Sequence, residues 1–95
     1  MERYIHTKKM KLFDETKEVI NGYFDKLESK HPEVMSAHVS LEHNNHGFVS
    51  NIHIHGKHME VSSKAEDDTI YKAIDSSFDR ISYQIKKVHD KRIHH

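Results

Sequence analysis

The chain contains no cysteine. That removes disulfides, thiolate nucleophiles and cysteine-based zinc modules together, and it fits a reducing cytosol. Glycine is scarce as well: Gly22, Gly47 and Gly56 are too few for a glycine-rich phosphate loop, and no Gly-x-Ser-x-Gly elbow is present. Aspartate and histidine are plentiful, but abundance is not a catalytic constellation, so no enzyme is expected. Nowhere do about 18 apolar residues follow one another, and Met1-Glu2-Arg3-Tyr4-Ile5-His6 begins no apolar run. Secretory and membrane-spanning readings therefore fail, and a cytoplasmic location with no membrane partner is the expectation. Neither sign of charge is in excess, because 15 lysines and arginines balance 15 aspartates and glutamates. A net charge of zero argues mildly against a nucleic-acid binder, although binding reads the local field of one face and not the sum.

What is present reads as one small domain over residues 1–95, since 35% hydrophobic and 32% charged residues give an adequate core and no linker, repeat or low-complexity tract interrupts it. Arg3 to Lys11 is a short run around Ile5 that reads as a strand. Asp14 can cap a helix whose apolar stripe is Thr16, Val19, Ile20, Tyr23, Phe24 and Leu27, and the only proline, Pro32, ends it. Two alternating segments follow: Ala37, Val39 and Leu41 face one way while His38, Ser40 and Glu42 face the other, and Ile52 and Ile54 alternate with Asn51, His53 and His55. Asn44-Asn45-His46-Gly47 between them is a good hairpin turn. A third run, Lys57 to Lys64, sets Met59 and Val61 against Glu60 and Ser62, with Gly56-Lys57 as the turn before it.

From Glu66 the pattern changes period. Ile70, Ile74, Phe78, Ile81, Ile85 and Val88 recur every three or four residues, which makes one long amphipathic helix with a single buried stripe. Its charge is sorted by end: Glu66, Asp67, Asp68, Asp75 and Asp79 come first, and Arg80, Lys86, Lys87, Lys91 and Arg92 follow, as the helix dipole favours. A basic helix end projecting from a small domain is a site for anions, and the largest polyanion in a cell is RNA. Because each strand has one apolar face, both helices are expected on the same face of a four-stranded sheet. The fold class is α+β, a two-layer β-α-β-β-β-α sandwich whose helix, three-strand, helix part is like that of double-stranded RNA-binding domains. The expected core is Ile5, Val19, Phe24, Leu27, Val39, Leu41, Ile52, Ile54, Val61, Ile74, Phe78 and Ile81. No cofactor is implied by these residues.

Eleven histidines form a competing signal. His53 and His55 flank one residue on a strand, and a tight hairpin would bring His38 opposite them on the open face, a spacing that occurs in zinc sites. Against this, no acidic second shell is evident and imidazoles on an open sheet are poorly oriented. No metal ligand is assigned, and a histidine-rich metal-binding module stands as the alternative reading. His94-His95 at the terminus is either native or a tag remnant.

The last third also carries a family pattern. Tyr71-Lys72-Ala73-Ile74-Asp75 is similar to Tyr-Ala-Ala-Ile-Asp, is preceded by Ala65-Glu66, and is followed by Asp79-Arg80-Ile81 and Gln84-Ile85, while Phe24-Asp25-Lys26-Leu27-Glu28 matches a Lys-Leu-Glu helix ending. In this order and spacing the chain resembles, end to end, the short members of the ribosome hibernation-promoting factor family, which also contains the ribosome-associated inhibitor. The resemblance implies binding to ribosomal RNA in the cleft of the small subunit, over the sites for messenger RNA and for aminoacyl- and peptidyl-tRNA, with reversible arrest of translation. It further implies action in stationary phase or stress, a monomer off the ribosome, no DNA partner, and promotion of ribosome dimers together with a ribosome modulation factor, with the tail-bearing inhibitor paralogue, which opposes dimers, as the alternative; long members differ by a C-terminal dimerisation module. The family's RNA-facing basic positions fall on Lys17 and Lys26 in the first helix and on Arg80, Lys87 and Lys91 in the second, with Lys86 and Arg92 adding charge nearby. Tyr23 and Tyr83 stand where the family usually has basic residues, His89 where it has lysine, and Thr69 where it has Asp. Tyr83 is kept among the RNA-binding positions because a tyrosine can stack on a base, although it forfeits an ion contact. Lys8 and Lys9 are expected to compensate in part.

Overall fold

The computed structural model describes residues 1–93, with side chains described through His89. The side chains of Lys91 and Arg92 lie outside the described residues, as do His94 and His95. The elements run β1 (Glu2–Lys8), α1 (Asp14–Lys30), β2 (Val34–Asn44), β3 (Gly47–Gly56), β4 (Met59–Asp67) and α2 (Ile70–Ile93). They form one sheet in the order β1-β2-β3-β4. β1 runs parallel to β2, as a crossover through α1 requires, and the two hairpins make the remaining pairs antiparallel.

The alternation read from the sequence decides which face is covered. Ala37, Val39 and Leu41 of β2 and Ile52 and Ile54 of β3 are buried and share one cluster with Ile20, Phe24 and Leu27 of α1 and Ile74, Phe78, Ile81 and Ile85 of α2. Both helices thus cover the same face. The expected core needs adjusting at its margin. Ile5 and Val61 are only partly buried against the cluster, while Ile20, Val34, Ala37, Met59 and Ile85 belong to it. Val19 is half-buried and outside it, because one residue turns a helix by about 100° and Ile20 already points inward.

Polar contacts fix each helix on the sheet. Ser77 Oγ donates to the Ile74 carbonyl (2.8 Å) and lies 2.8 Å from Ser50 Oγ of β3, and Ser63 Oγ of β4 donates to the Ser77 carbonyl (2.7 Å). Every hydroxyl in this buried group is therefore used, which avoids the cost of an orphaned polar atom. On the other side, Arg3 of β1 reaches Asp25 (2.7 Å) and Glu28 (3.4 Å) of α1, and the N-terminal ammonium pairs with Glu28 (2.9 Å). That ammonium, followed by Arg3, holds the Glu28 carboxyl below the usual carboxylate range.

Element ends depart from the sequence reading at four places. β1 stops at Lys8 and not Lys11, since Lys9 takes a positive φ of 59° that breaks the extended chain. Phe13, not Asp14, occupies the N-cap of α1, in extended conformation and without a side-chain cap bond; Asp14 is the first helical residue and adds charge to the first turn. Lys57 and His58 form the last turn, and β4 runs on to Asp67 because its register with β3 pairs Phe48 with Asp67. α2 consequently starts at Ile70 with no acidic residue in its first turn, so Glu66 and Asp67 are strand residues and the sorting of charge along the helix rests on Asp75 and Asp79 alone. Thr69 starts the helix instead: its N–H donates to Asp67 Oδ1 (3.1 Å) and its Oγ1 accepts from the Lys72 N–H (3.4 Å). The hairpin before β3 is as expected, with Gly47 at φ 136°, where an added Cβ would sit 2.5 Å from the Asp67 carbonyl oxygen.

Phe24→Ala should cost about 3–5 kcal/mol in urea unfolding. Val19→Ala should cost less than about 1 kcal/mol, in line with its half-buried position. Equal costs would place Val19 in the core after all.

Candidate nucleic-acid interface

Where α1 and α2 meet, aromatic rings set the spacing. Phe24 meets Phe78 edge-on at 5.6 Å between centroids, and Tyr23 stacks on Phe78 at 4.9 Å. The Tyr23 hydroxyl donates to Asp75 Oδ1, so the tyrosine in place of a basic residue serves as a strut between helices. That bond, with burial and the Asp75 charge adding to it, pushes the Tyr23 phenol up to about 12.

Above these contacts runs a groove. One part, of about 200 Å³, is lined by Tyr23, Lys26, Leu27, Lys30, Asp75, Phe78, Asp79 and Ser82. It shares Lys30, Asp79 and Ser82 with a wider cleft of about 850 Å³ that also takes in His31, Lys64, Arg80, Tyr83, Lys86 and His89. Two lysines sit over rings: Lys26 Nζ, in the groove, is 5.8 Å from the Tyr23 centroid, and Lys87 Nζ, beside it, is 4.9 Å from that of Tyr83. The Arg80 guanidinium donates to the Lys64 carbonyl, which fixes its position along β4. At the far end, Glu33 Oε1 lies 2.7 Å from His89 Nε2 and 3.8 Å from His31 Nδ1. Burial lowers the His31 pKa, with Glu33 opposing and His89 and Lys30 adding to the fall.

The structure brings together Lys26, Arg80, Tyr83, Lys86 and Lys87 of the expected RNA-binding positions. It does not bring in Lys17, which lines a separate depression with Arg3, Tyr4, His6, Leu12 and Asn21 beside β1. Lys26 is nine residues on, about two and a half helical turns, which puts it on the opposite side of α1 from Lys17. Lys30 and Lys64 line the groove without having been singled out in the sequence. Lys30 was open to detection as the residue four on from Lys26, whereas Lys64 depends on where β4 passes under Arg80.

The opposite face of the sheet holds the histidines. His38 is the register partner of His53, as the hairpin implied. An acidic neighbour does exist there, contrary to expectation, because Glu60 Oε1 is 2.9 Å from His53 Nε2. Among the described residues, no three histidine or acidic side chains come together in a way that could hold a metal ion.

The family model described as sigma 54 modulation protein / S30EA ribosomal protein matches residues 4–93. No curated protein matches the sequence. The fold is shared by solved structures, among them the following two. A ribosomal subunit interface protein from Coxiella burnetii superposes with a TM-score of 0.89 at 14% identity, covering 95% of this chain and 99% of that one. The N-terminal domain of Thermus thermophilus Protein Y gives 0.83 at 20% identity, covering 93% and 99%.

Tyr23→Phe tests the strut. It should lose about 0.5–1.5 kcal/mol at neutral pH. The raised phenol pKa means the stabilisation is complete below the ordinary phenol value of about 10 and is lost as pH rises through about 12. Ultraviolet titration of the wild type should accordingly show a tyrosine ionising near pH 12 that is missing from the variant, while Tyr4, raised by its bond to Glu2, is unchanged.

Proposed function

The chain belongs to the sigma 54 modulation protein / S30EA ribosomal protein family, and from that premise we propose that it is a ribosome hibernation factor. The family is one of ribosome-associated factors and not of enzymes. On this reading the single domain binds the small ribosomal subunit at the decoding region, covers the messenger and tRNA sites, and arrests translation reversibly in stationary phase or stress. It works in the cytoplasm as a monomer off the ribosome and promotes ribosome dimers with a modulation factor. The Coxiella burnetii protein of the same fold is a ribosomal subunit interface protein, which supports the ribosomal setting.

The observation that carries the proposal is the groove between the helices. Lys26, Lys30, Arg80 and Lys86 line it, against Asp75 and Asp79, and Lys87 stands beside it over Tyr83. A phosphate backbone needs such a row of cations, because release of its condensed counterions drives association. The rings of Tyr23 and Tyr83 hold two of the ammonium groups in place and so reduce the entropy lost on binding. Tyr83, 59% exposed, also offers a face to an unpaired base. Arg80 adds a planar fork suited to phosphate oxygens. Lys91 and Arg92 belong to the proposed surface by sequence alone, and Lys17 would contribute only to an RNA that wraps around α1.

Lys26→Glu with Lys87→Glu should leave folding nearly intact, since both side chains are exposed. Cosedimentation with small subunits should fall sharply, and the slope of log affinity against log salt should flatten by roughly one to two units. The control is Lys11→Glu with Lys57→Glu, the same change of charge at exposed positions outside the groove. Equal loss in both double variants would mean that net charge, and no defined surface, binds the ribosome.

A further inference from the structure

We propose that the open face of the sheet, opposite the helices, is a docking surface for an arginine-rich protein segment. The proposal does not depend on the groove or on RNA. It starts from register. Tyr4, His38, His53 and Ser62 lie in one row across the four strands, and the neighbouring rows add His6 on one side and His55 on the other. The rings are close: Tyr4 stacks on His38 at 4.5 Å and His6 lies parallel to His38 at 6.2 Å, while His53 meets His38 edge-on at 6.5 Å. A shallow depression of about 350 Å³ opens beside His38 and His53. Its other walls include Ser40 and Ser62, whose small side chains leave the rings accessible.

Charge on this face surrounds the rings. Glu2 and Glu60 bound the row that contains His55, and Glu42 and Glu66 belong to the row at the opposite end. Among the described residues, Lys8 and Lys64 oppose them on this face; Lys64 pairs with Glu66 at 3.6 Å, which leaves Glu2, Glu42 and Glu60 against Lys8. From ideal sheet spacings the ring band with its flanking carboxylates spans about 14 Å across the strands and about 20 Å along them. That footprint suits a short extended peptide.

The choice of occupant follows from combining rings with carboxylates. An exposed ring platform on a four-stranded sheet is also how single-stranded RNA is bound, but there the bases need cations alongside to hold their phosphates. Here four carboxylates flank the platform against two lysines, which repels phosphate. The guanidinium group is the side chain that meets both features, stacking flat on aromatic rings and holding a carboxylate in its fork. A lysine gains the second without the planar stack.

The test uses the full chain, isotopically labelled and followed by amide chemical shifts. It is titrated separately with a short peptide of alternating arginine and serine, its lysine counterpart, and a short single-stranded uridine RNA. The arginine peptide should shift the amides of Tyr4, His38, His53 and Glu60 and bind more tightly than the lysine peptide. Glu2→Gln with Glu60→Gln should weaken it about three- to tenfold, while Glu15→Gln with Glu18→Gln, on the exposed side of α1, should not. Three results would overturn the proposal: shifts from the arginine peptide located elsewhere, equal binding of the two peptides, or uridine RNA occupying the open face.

Discussion

Two helices must bury their apolar stripes against one face of a single sheet, and the contact between them is made by three rings. Phe24 and Phe78 meet edge to face, Tyr23 lies flat on Phe78, and the Tyr23 hydroxyl closes the joint on Asp75. The candidate interface depends on this joint. Lys26 and Lys30 flank the buried Leu27 on α1, and Arg80 and Lys86 adjoin the buried Ile81 and Ile85 on α2. The separation of these cations across the groove is therefore set by core packing, which tolerates little displacement. A change in the core would move the charges even though it touched none of them.

The same joint explains what the family motifs record. In Tyr71-Lys72-Ala73-Ile74-Asp75, Ala73 and Ile74 are fully buried and Asp75 receives the Tyr23 hydroxyl. In Phe24-Asp25-Lys26-Leu27-Glu28, Phe24 and Leu27 are core while Asp25 and Glu28 pair with Arg3. Of these ten residues only Lys26 lines the groove among the cations. The motifs thus mark how the helices are held, and the basic surface is a consequence of that holding, with room to vary.

Much of the fold was legible because the strands alternate cleanly. Ala37, Val39 and Leu41, then Ile52 and Ile54, told which face would be covered, and Asn44-Asn45-His46-Gly47 fixed the register that sets His38 against His53. The boundary between β4 and α2 was not legible, since Glu66, Asp67 and Asp68 look like an acidic helix start and only pairing with Val49 and Phe48 shows the first two to be strand. The interface was half legible. Helical period alone separates Lys17 from Lys26 and joins Lys30 to Lys26, but carrying positions over from a resemblance ignored that period. Lys64 and the tether from Arg80 arise from strands and helix meeting in space, which no local pattern encodes.

The net charge of zero, which argued against a polyanion partner, has a spatial resolution. The groove side carries Lys26, Lys30, Arg80, Lys86 and Lys87 against Asp75 and Asp79, and the open side carries Glu2, Glu42, Glu60 and Glu66 against Lys8 and Lys64. Their sum is close to balanced, but they do not act at one point. The shortest principal dimension of the backbone is 16 Å, and at physiological ionic strength charges are screened over about 8 Å. An approaching phosphate in the groove therefore feels the cations beside it far more than the carboxylates behind the sheet. A two-layer domain with each layer's outer face charged differently can present a basic surface and an acidic one at once, and its neutral total is the arithmetic of two local fields.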